Sequence, residues 1–357
     1  MLHLTISGST PGLRPARIGC LAVPIRLIDR LPVVSRADLL DSLVPPPLFA
    51  DVSFDTYRPD PGEPTQLAAV EYLRAFALQV SRPPRKAGRF RRASGPEYPG
   101  GVYLDGGFGV GKTHLLASLW HAVPGPKAYA TFVELTQLAG ALGFADLVEA
   151  LGGMRLLAID EFELDDPGDT VLVSTLLARL SERGVALAAT SNTLPDRLGE
   201  ERFATDDFLR EIQALAARFT PIRVDGPDYR HRGLPEPPPP LSDAELTRRA
   251  AEIPGASLDN FTDLAHHLAT LHPSRYGALV EGVATVCLWD VRTAADQNVA
   301  LRLVVLADRL YDRQIPLLTS GVPLTELFDA QMLAGGYRKK YRRAISRLIA
   351  LNRMGAG

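Results

Sequence analysis

The chain has 357 residues, 46% of them hydrophobic, an ordinary share for a globular protein and enough for two domains. Its formal net charge of −2 excludes a strong overall attraction to nucleic acid or anionic lipid. The two cysteines, Cys20 and Cys287, are far apart, which argues against a disulfide framework and a cysteine metal site. No apolar run reaches the ~18 residues of a membrane span, and residues 1–19 lack a signal-peptide pattern. We therefore expect a soluble, cytoplasmic protein.

The first hundred residues divide into an arm, a helix and a basic run. Residues 1–50 alternate short apolar stretches with proline and glycine, which indicates an N-terminal arm. Apolar residues at helical spacing predict a helix over residues 63–81. Residues 82–92 are rich in arginine and proline. We interpret this run either as an anion or partner contact or, by preference, as a solvated surface loop.

Short apolar segments alternate with helical patterns in the middle of the chain. Strands are predicted at residues 101–105, 129–133, 155–159, 185–190 and 222–224. Helices are predicted at residues 113–121, 170–183 and 208–218. This alternation is typical of an α/β fold in which helices flank a parallel sheet.

A proline run marks the predicted boundary between two domains. Residues 235–240 are nearly all proline, which resists helix and forms a stiff spacer. The pattern after this run is mostly helical, with residues 255–276 and 322–324 left uncertain. The predicted order is an arm at 1–50, an α/β core at 51–233, a linker at 234–241 and a mainly helical domain at 242–357.

The glycine-rich segment at residues 106–113 matches the phosphate-binding P-loop and lies between a predicted strand and a predicted helix. Its residues are Gly106, Gly107, Phe108, Gly109, Val110, Gly111, Lys112 and Thr113. The glycines allow backbone N–H groups to surround phosphate oxygens, and the next helix directs its positive end at them. We expect Lys112 to bridge the terminal phosphates and Thr113 to ligate Mg²⁺. The segment predicts a site for a nucleoside triphosphate.

An apolar strand that ends in two acidic residues supplies the second part of the predicted site. Asp160 and Glu161 would lie at the carboxyl end of the sheet, where ligands bind in such folds. We expect Asp160 to hold Mg²⁺, usually through water, and Glu161 to orient and polarise the attacking water. Such a strand end is a weak signal alone, but downstream of a P-loop it indicates hydrolysis.

Polar and basic residues further along the chain complete the predicted site. Asn192 follows the next strand and is expected to hold the water or the γ-phosphate, with a plain turn asparagine as the alternative. The chain has no Asn-Lys-x-Asp guanine-reading motif, which favours ATP over GTP. Arg202, Arg210 and Arg218 are candidates for an arginine finger that acts across a subunit boundary, although each alone is more typical of a protein surface.

Taken together, these residues resemble the ZapE family of AAA+ ATPases, which are bacterial cell-division proteins related to a mitochondrial ATPase. The resemblance runs from about residue 54 to residue 348. Its most specific segments are Asp160-Glu161-Phe162 with Asp166 and Asp169, Thr190-Ser191-Asn192, and Asp228-Tyr229-Arg230. It implies an AAA+/ASCE P-loop NTPase core with a smaller, mainly helical C-terminal lid domain. It also implies ATP and Mg²⁺ as cofactors and a homo-oligomer that can form a ring with ATP.

Two positions need separate comparison with the family pattern. Arg302 falls where the family has a paired arginine at the start of a lid helix, which implies a second sensor of the γ-phosphate. A helix-surface arginine is the equal alternative. Thr205 stands where the family carries an arginine before Phe208. Either a neighbour, Arg202 or Arg210, replaces the finger, or activation across subunits is weaker.

Aromatic and basic residues outside the motifs have two interpretations each. Phe54 and Tyr57 resemble an aromatic approach to adenine, or they fix the first helix to the core. Residues 338–347 are basic and amphipathic, and we expect Ala344, Ile345 and Leu348 to pack while the cations face outward. A solvated helix face is favoured there over contact with an acidic partner or a membrane surface.

The leading hypothesis is an ATP hydrolase whose turnover drives a conformational change on a protein partner. The resemblance implies that this partner is a division-ring component. The alternative is a helicase-loader-like or replication-associated ATPase that acts with nucleic acid. Residues 82–92 are its nearest support, and the near-neutral charge argues against it. A nucleotide-binding switch without turnover is a third hypothesis, against which Asp160, Glu161 and Asn192 argue. Membrane contact is expected to be peripheral if it occurs at all.

Overall fold

Two parallel β-sheets organise the part of the chain that the structure describes. The computed structural model covers residues 23–82, 100–107, 109–164, 167–193, 209–226 and 237–356. A five-stranded sheet lies in residues 35–226, which we call the P-loop core, and a three-stranded sheet lies in residues 242–356, the C-terminal region. None of the described helices is long and apolar enough to cross a membrane.

The P-loop core alternates strands and helices as the sequence predicts. Its helices are α1 (Arg36–Asp41), α2 (Pro64–Ser81), α3 (Lys112–Ala122), α4 (Phe132–Leu142), α5 (Phe144–Leu151), α6 (Pro167–Glu182) and α7 (Leu209–Ala216). Its strands are β1 (Gly101–Gly106), β2 (Lys127–Thr131), β3 (Leu156–Asp160), β4 (Ala186–Ser191) and β5 (Phe219–Val224). The predicted α/β fold with a parallel sheet between helices is confirmed.

The strand order of this sheet determines where the chemistry is placed. The strands pair in the order β2-β3-β4-β1-β5, and every pairing is parallel. β1, β3 and β4 are buried along their whole length, as expected for apolar strands that are covered on both faces. Because β4 lies between β3 and β1, the carboxyl ends of these three strands are adjacent. The P-loop, the acidic pair and Asn192 therefore meet at one edge of the sheet.

Two helices between β2 and β3, α4 and α5, are absent from the sequence prediction. The side chain of Thr131 accepts a hydrogen bond from the Glu134 backbone N–H, and the Glu134 carboxylate accepts one from the Thr131 N–H. This reciprocal capping box starts α4. The strand predicted at residues 129–133 therefore ends at Thr131, where the cap redirects the backbone into a helix.

The C-terminal region is mainly helical, as predicted, but it also contains a parallel sheet that the sequence did not reveal. Its helices are α8 (Asp243–Glu252), α9 (Phe261–Thr270), α10 (Tyr276–Leu279), α11 (Gln297–Asp312), α12 (Ala330–Ala334) and α13 (Arg338–Ala356). Its strands, β6 (Ala256–Asn260), β7 (Thr285–Val291) and β8 (Leu317–Gly321), pair in that order. Since β6 is short and carries three polar residues, its sequence gives little indication of a buried strand.

The N-terminal segment packs against both parts of the molecule. Ile25 pairs with Ser257 beside β6, and the backbone N–H of Leu27 donates to the Asp259 carboxylate at 3.0 Å. Leu27 is fully buried in the core of the C-terminal region. By contrast, Leu43 lies in the P-loop core, where its carbonyl oxygen accepts from the Tyr129 N–H. Within the predicted arm, residues 25–43 thus contact both regions, while residues 1–22 lie outside the described residues.

Candidate active site

The P-loop connects β1 to α3 through a backbone that requires glycine at two positions. Gly106 has φ of 156°, and a Cβ there would collide with the Val224 carbonyl group. Gly111 has φ of 90°, and a Cβ there would lie 2.6 Å from the Tyr57 ring. Gly111 also directly precedes Lys112, the first residue of α3. The loop therefore directs the positive N-terminus of α3 toward the edge of the sheet where β3 and β4 end.

Lys112 links the P-loop to the end of β4. Its Nζ donates to the carbonyl oxygens of Gly106 at 2.9 Å and Gly107 at 2.6 Å, and to Asn192 Oδ1 at 2.9 Å. The side chain is buried, with 9% of the residue exposed. The structure thus brings together the predicted phosphate-binding lysine and the predicted polar residue after β4.

Asp160 is the most heavily hydrogen-bonded side chain at this edge. Its carboxylate accepts from the hydroxyls of Thr113 at 3.3 Å, Tyr129 at 3.0 Å and Thr190, and from the Glu161 N–H at 3.1 Å. Burial, followed by the negative charge of Asp160, raises the pKa of Tyr129 well above its usual value. The phenol therefore stays protonated and remains a donor. These donors fix the Asp160 carboxylate beside Thr113, the other predicted Mg²⁺ ligand.

The chemistry of this pair fits Mg²⁺. A hydroxyl and a carboxylate supply hard oxygen ligands, and Mg²⁺ commonly uses one or two such protein groups together with waters and substrate phosphates. Among the described residues there is no cluster of three or more histidine, cysteine, aspartate or glutamate side chains that would indicate a metal cage. The Thr113 hydroxyl and the Asp160 carboxylate therefore fit Mg²⁺ that is also coordinated by substrate phosphates.

Glu161 occupies a left-handed backbone conformation at the end of β3, with φ of 53°. Its N–H donates to Asp160 Oδ1 and to Thr190 Oγ1, both at 3.1 Å. Its carboxylate is paired with two arginines of α13: Arg343 Nη1 lies 2.7 Å from Oε2, and Arg347 Nη2 lies 3.0 Å from Oε1. Two cations from the C-terminal region thus lie at the predicted catalytic carboxylate.

This pairing corrects the prediction that the cations of residues 338–347 face outward. Ala344 and Leu348 are buried as expected, but Arg343 and Arg347 point into the protein because both also bind Asp308 of α11. Burial opposes ionisation of Asp308, yet the charges of Arg347 and Arg343 outweigh it and lower the pKa of Asp308. The two arginines are spaced (i, i+4), which places them on one helix face. This spacing is the feature of the sequence that could have indicated a shared partner.

Arg302, the predicted second sensor of the γ-phosphate, makes its hydrogen bonds within the C-terminal region in this structure. Its Nη1 donates to the carbonyl oxygens of Leu268 at 2.9 Å and Leu271 at 3.2 Å, and to the Tyr276 hydroxyl at 3.2 Å. The last carbonyl groups of a helix lack partners within the helix. Arg302 supplies these partners at the end of α9, so its role in this structure is to join helices of the C-terminal region.

The remaining predicted residues are only partly described. Phe108 and Arg202 lie outside the described residues, and Arg210 lies in α7 with its side chain outside them. Phe54 is buried in the same core cluster as residues of α2, which fits the interpretation that it fixes this helix to the core. Tyr57 instead contacts the P-loop, because its hydroxyl donates to the Val110 carbonyl oxygen at 2.9 Å.

Comparison with known proteins identifies the family. The model of the AFG1-like ATPases matches residues 33–243 and 236–355. The chain belongs to the AFG1-like ATPase family. It is therefore an ATPase, and a nucleotide is its substrate. The site just described lies within the matched residues.

Two curated proteins and two solved structures give the range of similarity. The cell division protein ZapE of Escherichia coli K12 is 29% identical over 293 residues, which span 70% of this chain and 76% of that protein. An uncharacterized protein of Schizosaccharomyces pombe is 30% identical over 154 residues, or 38% of this chain and 34% of that protein. The crystal structure of DnaI has a TM-score of 0.42 and 18% identity, and covers 53% of this chain and 98% of its own. The replication initiator DnaA, bound to AMPPCP and single-stranded DNA, has a TM-score of 0.38 and 11% identity over 87% of this chain and 97% of its own.

Proposed function

We propose that this ATPase hydrolyses ATP at the edge where β1, β3 and β4 end. The observation that carries the proposal is the set of contacts that join Lys112, Thr113, Asp160 and Asn192 in one place. Lys112 and the P-loop N–H groups would bind the terminal phosphates, and Thr113 and Asp160 would hold Mg²⁺. Mg²⁺, when bound, neutralises charge on the phosphate oxygens.

Glu161 and Asn192 would act on the reacting groups. Glu161 would accept a hydrogen bond from the attacking water and polarise it, since its backbone is held by Asp160 and Thr190. Asn192 would hold the water or the γ-phosphate through its side-chain amide, whose oxygen already contacts Lys112. Phosphoryl transfer depends on such positioning and charge stabilisation more than on covalent chemistry by the protein.

We further propose that turnover moves the C-terminal region and acts on a protein partner in the cytoplasm. Support comes from the contact of α13 with Glu161, which joins the hydrolytic site to the second sheet and its helices. The likeness to a protein named for cell division supports a role in that process. Assembly into a homo-oligomer, with Arg202 or Arg210 acting across the subunit boundary, completes the proposal. It requires that turnover per subunit rise with protein concentration.

Two substitutions test the assignment of the site. Lys112→Ala is expected to abolish measurable ATP binding by calorimetry, while Lys127→Ala serves as the matched control. The Nζ of Lys127 donates to carbonyl groups at the end of α3, including that of Trp120 at 2.7 Å. These partners are not predicted site residues.

Glu161→Gln is expected to retain ATP binding and to lower phosphate release by at least roughly 100-fold, because it removes the water-polarising carboxylate. Hydrolysis by Glu161→Gln at the parent rate would show that another group activates the water.

A further inference from the structure

A cluster of two arginines and two carboxylates joins the C-terminal helix to the end of β3. Glu161 contacts Arg343 at 2.7 Å and Arg347 at 3.0 Å, with a different carboxylate oxygen for each. Asp308 contacts the same two arginines, at 3.2 Å for Arg343. Two positive and two negative side chains therefore balance within the cluster. Each guanidinium bridges the two carboxylates.

The cluster is mostly shielded from water. The exposed fraction of the side chain is 26% for Glu161, 18% for Arg343 and 16% for Arg347. Shielded charges interact more strongly than charges at a surface, and guanidinium forks are more rigid donors than lysine ammonium groups. The Arg347 guanidinium also lies over the Tyr311 ring, 5.2 Å from its centroid. The arginines are thus held on several sides, so they present a fixed arrangement to Glu161.

Glu161 is a residue whose side chain needs such support. Its backbone is anchored by Asp160 and Thr190, but those contacts leave the torsions of a long side chain undetermined. Ordering a long side chain such as glutamate costs rotamer entropy. Preorganised donors that are already in place when the water reacts avoid this cost during catalysis. Among the described side chains, Arg343 and Arg347 are the recorded partners of this carboxylate.

We propose that Arg343 and Arg347 are positioning residues, which fix the Glu161 carboxylate in the orientation that acts on the attacking water. The inference rests on the proposed role of Glu161. An ionised carboxylate has about four lone-pair sites on its two oxygens. Each arginine takes one site on a different oxygen, so each oxygen keeps capacity to accept a hydrogen bond from water. The arginines act through Glu161 and not through the nucleotide.

The cluster links the C-terminal region to the hydrolytic site. Both arginines belong to α13, and Asp308 belongs to α11, so the C-terminal region completes the hydrolytic site of its own chain. Hydrolysis then requires α13 to be docked on the end of β3. Movement of the C-terminal region would switch turnover by removing the support of Glu161, with the P-loop still able to bind ATP.

The test uses alanine and lysine variants of both arginines in the full chain. For Arg343→Ala and Arg347→Ala we expect kcat for ATP to fall by about 10- to 100-fold, as for other residues that support a catalytic group. The Kd of a non-hydrolysable ATP analogue should stay within about twofold, because the arginines do not contact nucleotide in this proposal. Arg343→Lys and Arg347→Lys should recover part of the lost kcat, since lysine keeps the charge without the fork. Arg342→Ala is the matched control, because Arg342 is the exposed neighbour on the same helix, and it should leave both constants unchanged.

The possible outcomes separate this role from others. A rise in kcat would mean that the arginines restrain Glu161, and a weaker Kd that accounts for the whole loss would mean that they bind nucleotide. Either result, or an unchanged kcat, overturns the proposal. If the thermal melt shows that an alanine variant does not fold, the lysine variant is used instead. Its kcat should then lie below that of the parent while its Kd for the analogue is unchanged.

A double variant shows whether the arginines act through Glu161. In the Glu161→Gln background, Arg343→Ala should lower the residual rate no further, since residues that act as a unit are non-additive. A further 10- to 100-fold fall would overturn the proposal. If Glu161→Gln itself hydrolyses ATP at the parent rate, the proposed role of Glu161 fails. If that variant is inactive and the single arginine variants are normal, only the positioning role fails.

Discussion

The two parallel sheets of this protein use the carboxyl ends of their strands differently. In the P-loop core, β1 leads into the P-loop, β3 ends in Asp160, and Asn192 follows β4. In the C-terminal region, β6 ends in Asn260, whose side chain accepts from the N–H groups of Thr262 and Asp263 and so caps α9. A polar residue at a strand end thus belongs to the proposed ligand site in one sheet and caps a helix in the other.

The donors around each buried aspartate explain this difference. Asp160 accepts from three side-chain hydroxyls, which can rotate toward another partner. Asp259, one residue before the end of β6, accepts from the backbone N–H groups of Leu27 and Ile28. Those N–H groups cannot change partner unless the N-terminal segment detaches. Asp160 is therefore suited to exchange a hydroxyl for a metal, whereas Asp259 serves as a fixed structural acceptor.

The largest expected effect is on turnover, and it separates the two aspartates. Asp160→Ala should lower phosphate release by roughly 100- to 1,000-fold, as is typical when one electrostatic partner of a transition state is lost. Asp259→Ala should leave the turnover of folded protein near the parent value. It should instead destabilise the chain by about 1–3 kcal/mol, because the Leu27 N–H is left buried without its acceptor. Phosphate release and thermal melting are measured on both variants. If Asp259→Ala lost as much turnover as Asp160→Ala, the assignment of a structural role to Asp259 and a ligand role to Asp160 would be wrong.

A smaller effect is expected from two buried tyrosines in equivalent supporting roles. Tyr129 donates to Asp160 at 3.0 Å, and Tyr276 donates to the Leu268 carbonyl oxygen at 2.8 Å. Tyr129→Phe should raise the Mg²⁺ concentration for half-maximal rate by about 10-fold, since groups that orient a metal ligand affect metal affinity by about 10- to 100-fold. Tyr276→Phe should lower stability by about 1 kcal/mol and leave the Mg²⁺ dependence unchanged. If Tyr129→Phe and Tyr276→Phe shifted the Mg²⁺ dependence equally, Tyr129 would have no particular role in orienting the Asp160 carboxylate.

The two sheets also differ in how well the sequence predicts them. β3 and β4 are continuous apolar runs beside a glycine motif, so local patterns indicated both the sheet and the residues at its edge. Asp259 of β6 is buried, and its carboxylate accepts from backbone N–H groups more than 200 positions away in the chain. No local pattern contains such a partner. The second sheet was therefore missed, although the helical content around it was predicted.

Three arginines show the same limit on prediction from local sequence. Arg302 lies in α11 and matched a family position, yet it binds the end of α9. The local sequence predicts Arg343 and Arg347 to be surface cations, because their partners, Glu161 and Asp308, are on other elements. A charge that pairs across the fold has the same local sequence as one that faces water. The P-loop and the acidic pair were predictable because their chemistry is encoded within a few residues.

The last expected effect is on stability rather than on turnover, and it concerns the charged contact between the two regions. Arg309 of α11 pairs with Glu134 of α4 at 2.5 Å and lies 3.6 Å from Asp312. Burial raises the pKa of Asp312 to about 7, even though Arg309 and Arg347 favour its charged form. Since this value exceeds the ordinary 3.8, the folded chain holds a proton that the unfolded chain releases. The stability from this group is complete below pH ~4 and is lost as the pH rises to about 7.

Asp312→Asn removes this titration and should therefore change how stability depends on pH. Asparagine resembles the protonated form, so the Tm of the variant minus that of the parent should increase from pH 5 to pH 8. One pKa unit corresponds to about 1.4 kcal/mol, and pH 5 lies two units below the folded pKa of about 7, so the stability of the variant relative to the parent should rise by roughly 3 kcal/mol across this interval. Asp55→Asn is the matched control, because the Asp55 side chain is 85% exposed and pairs with Arg74 at the surface. A Tm difference for Asp312→Asn that is the same at both pH values would show that Asp312 is ionised throughout in the folded protein. Arg309 would then lie beside an ionised Asp312.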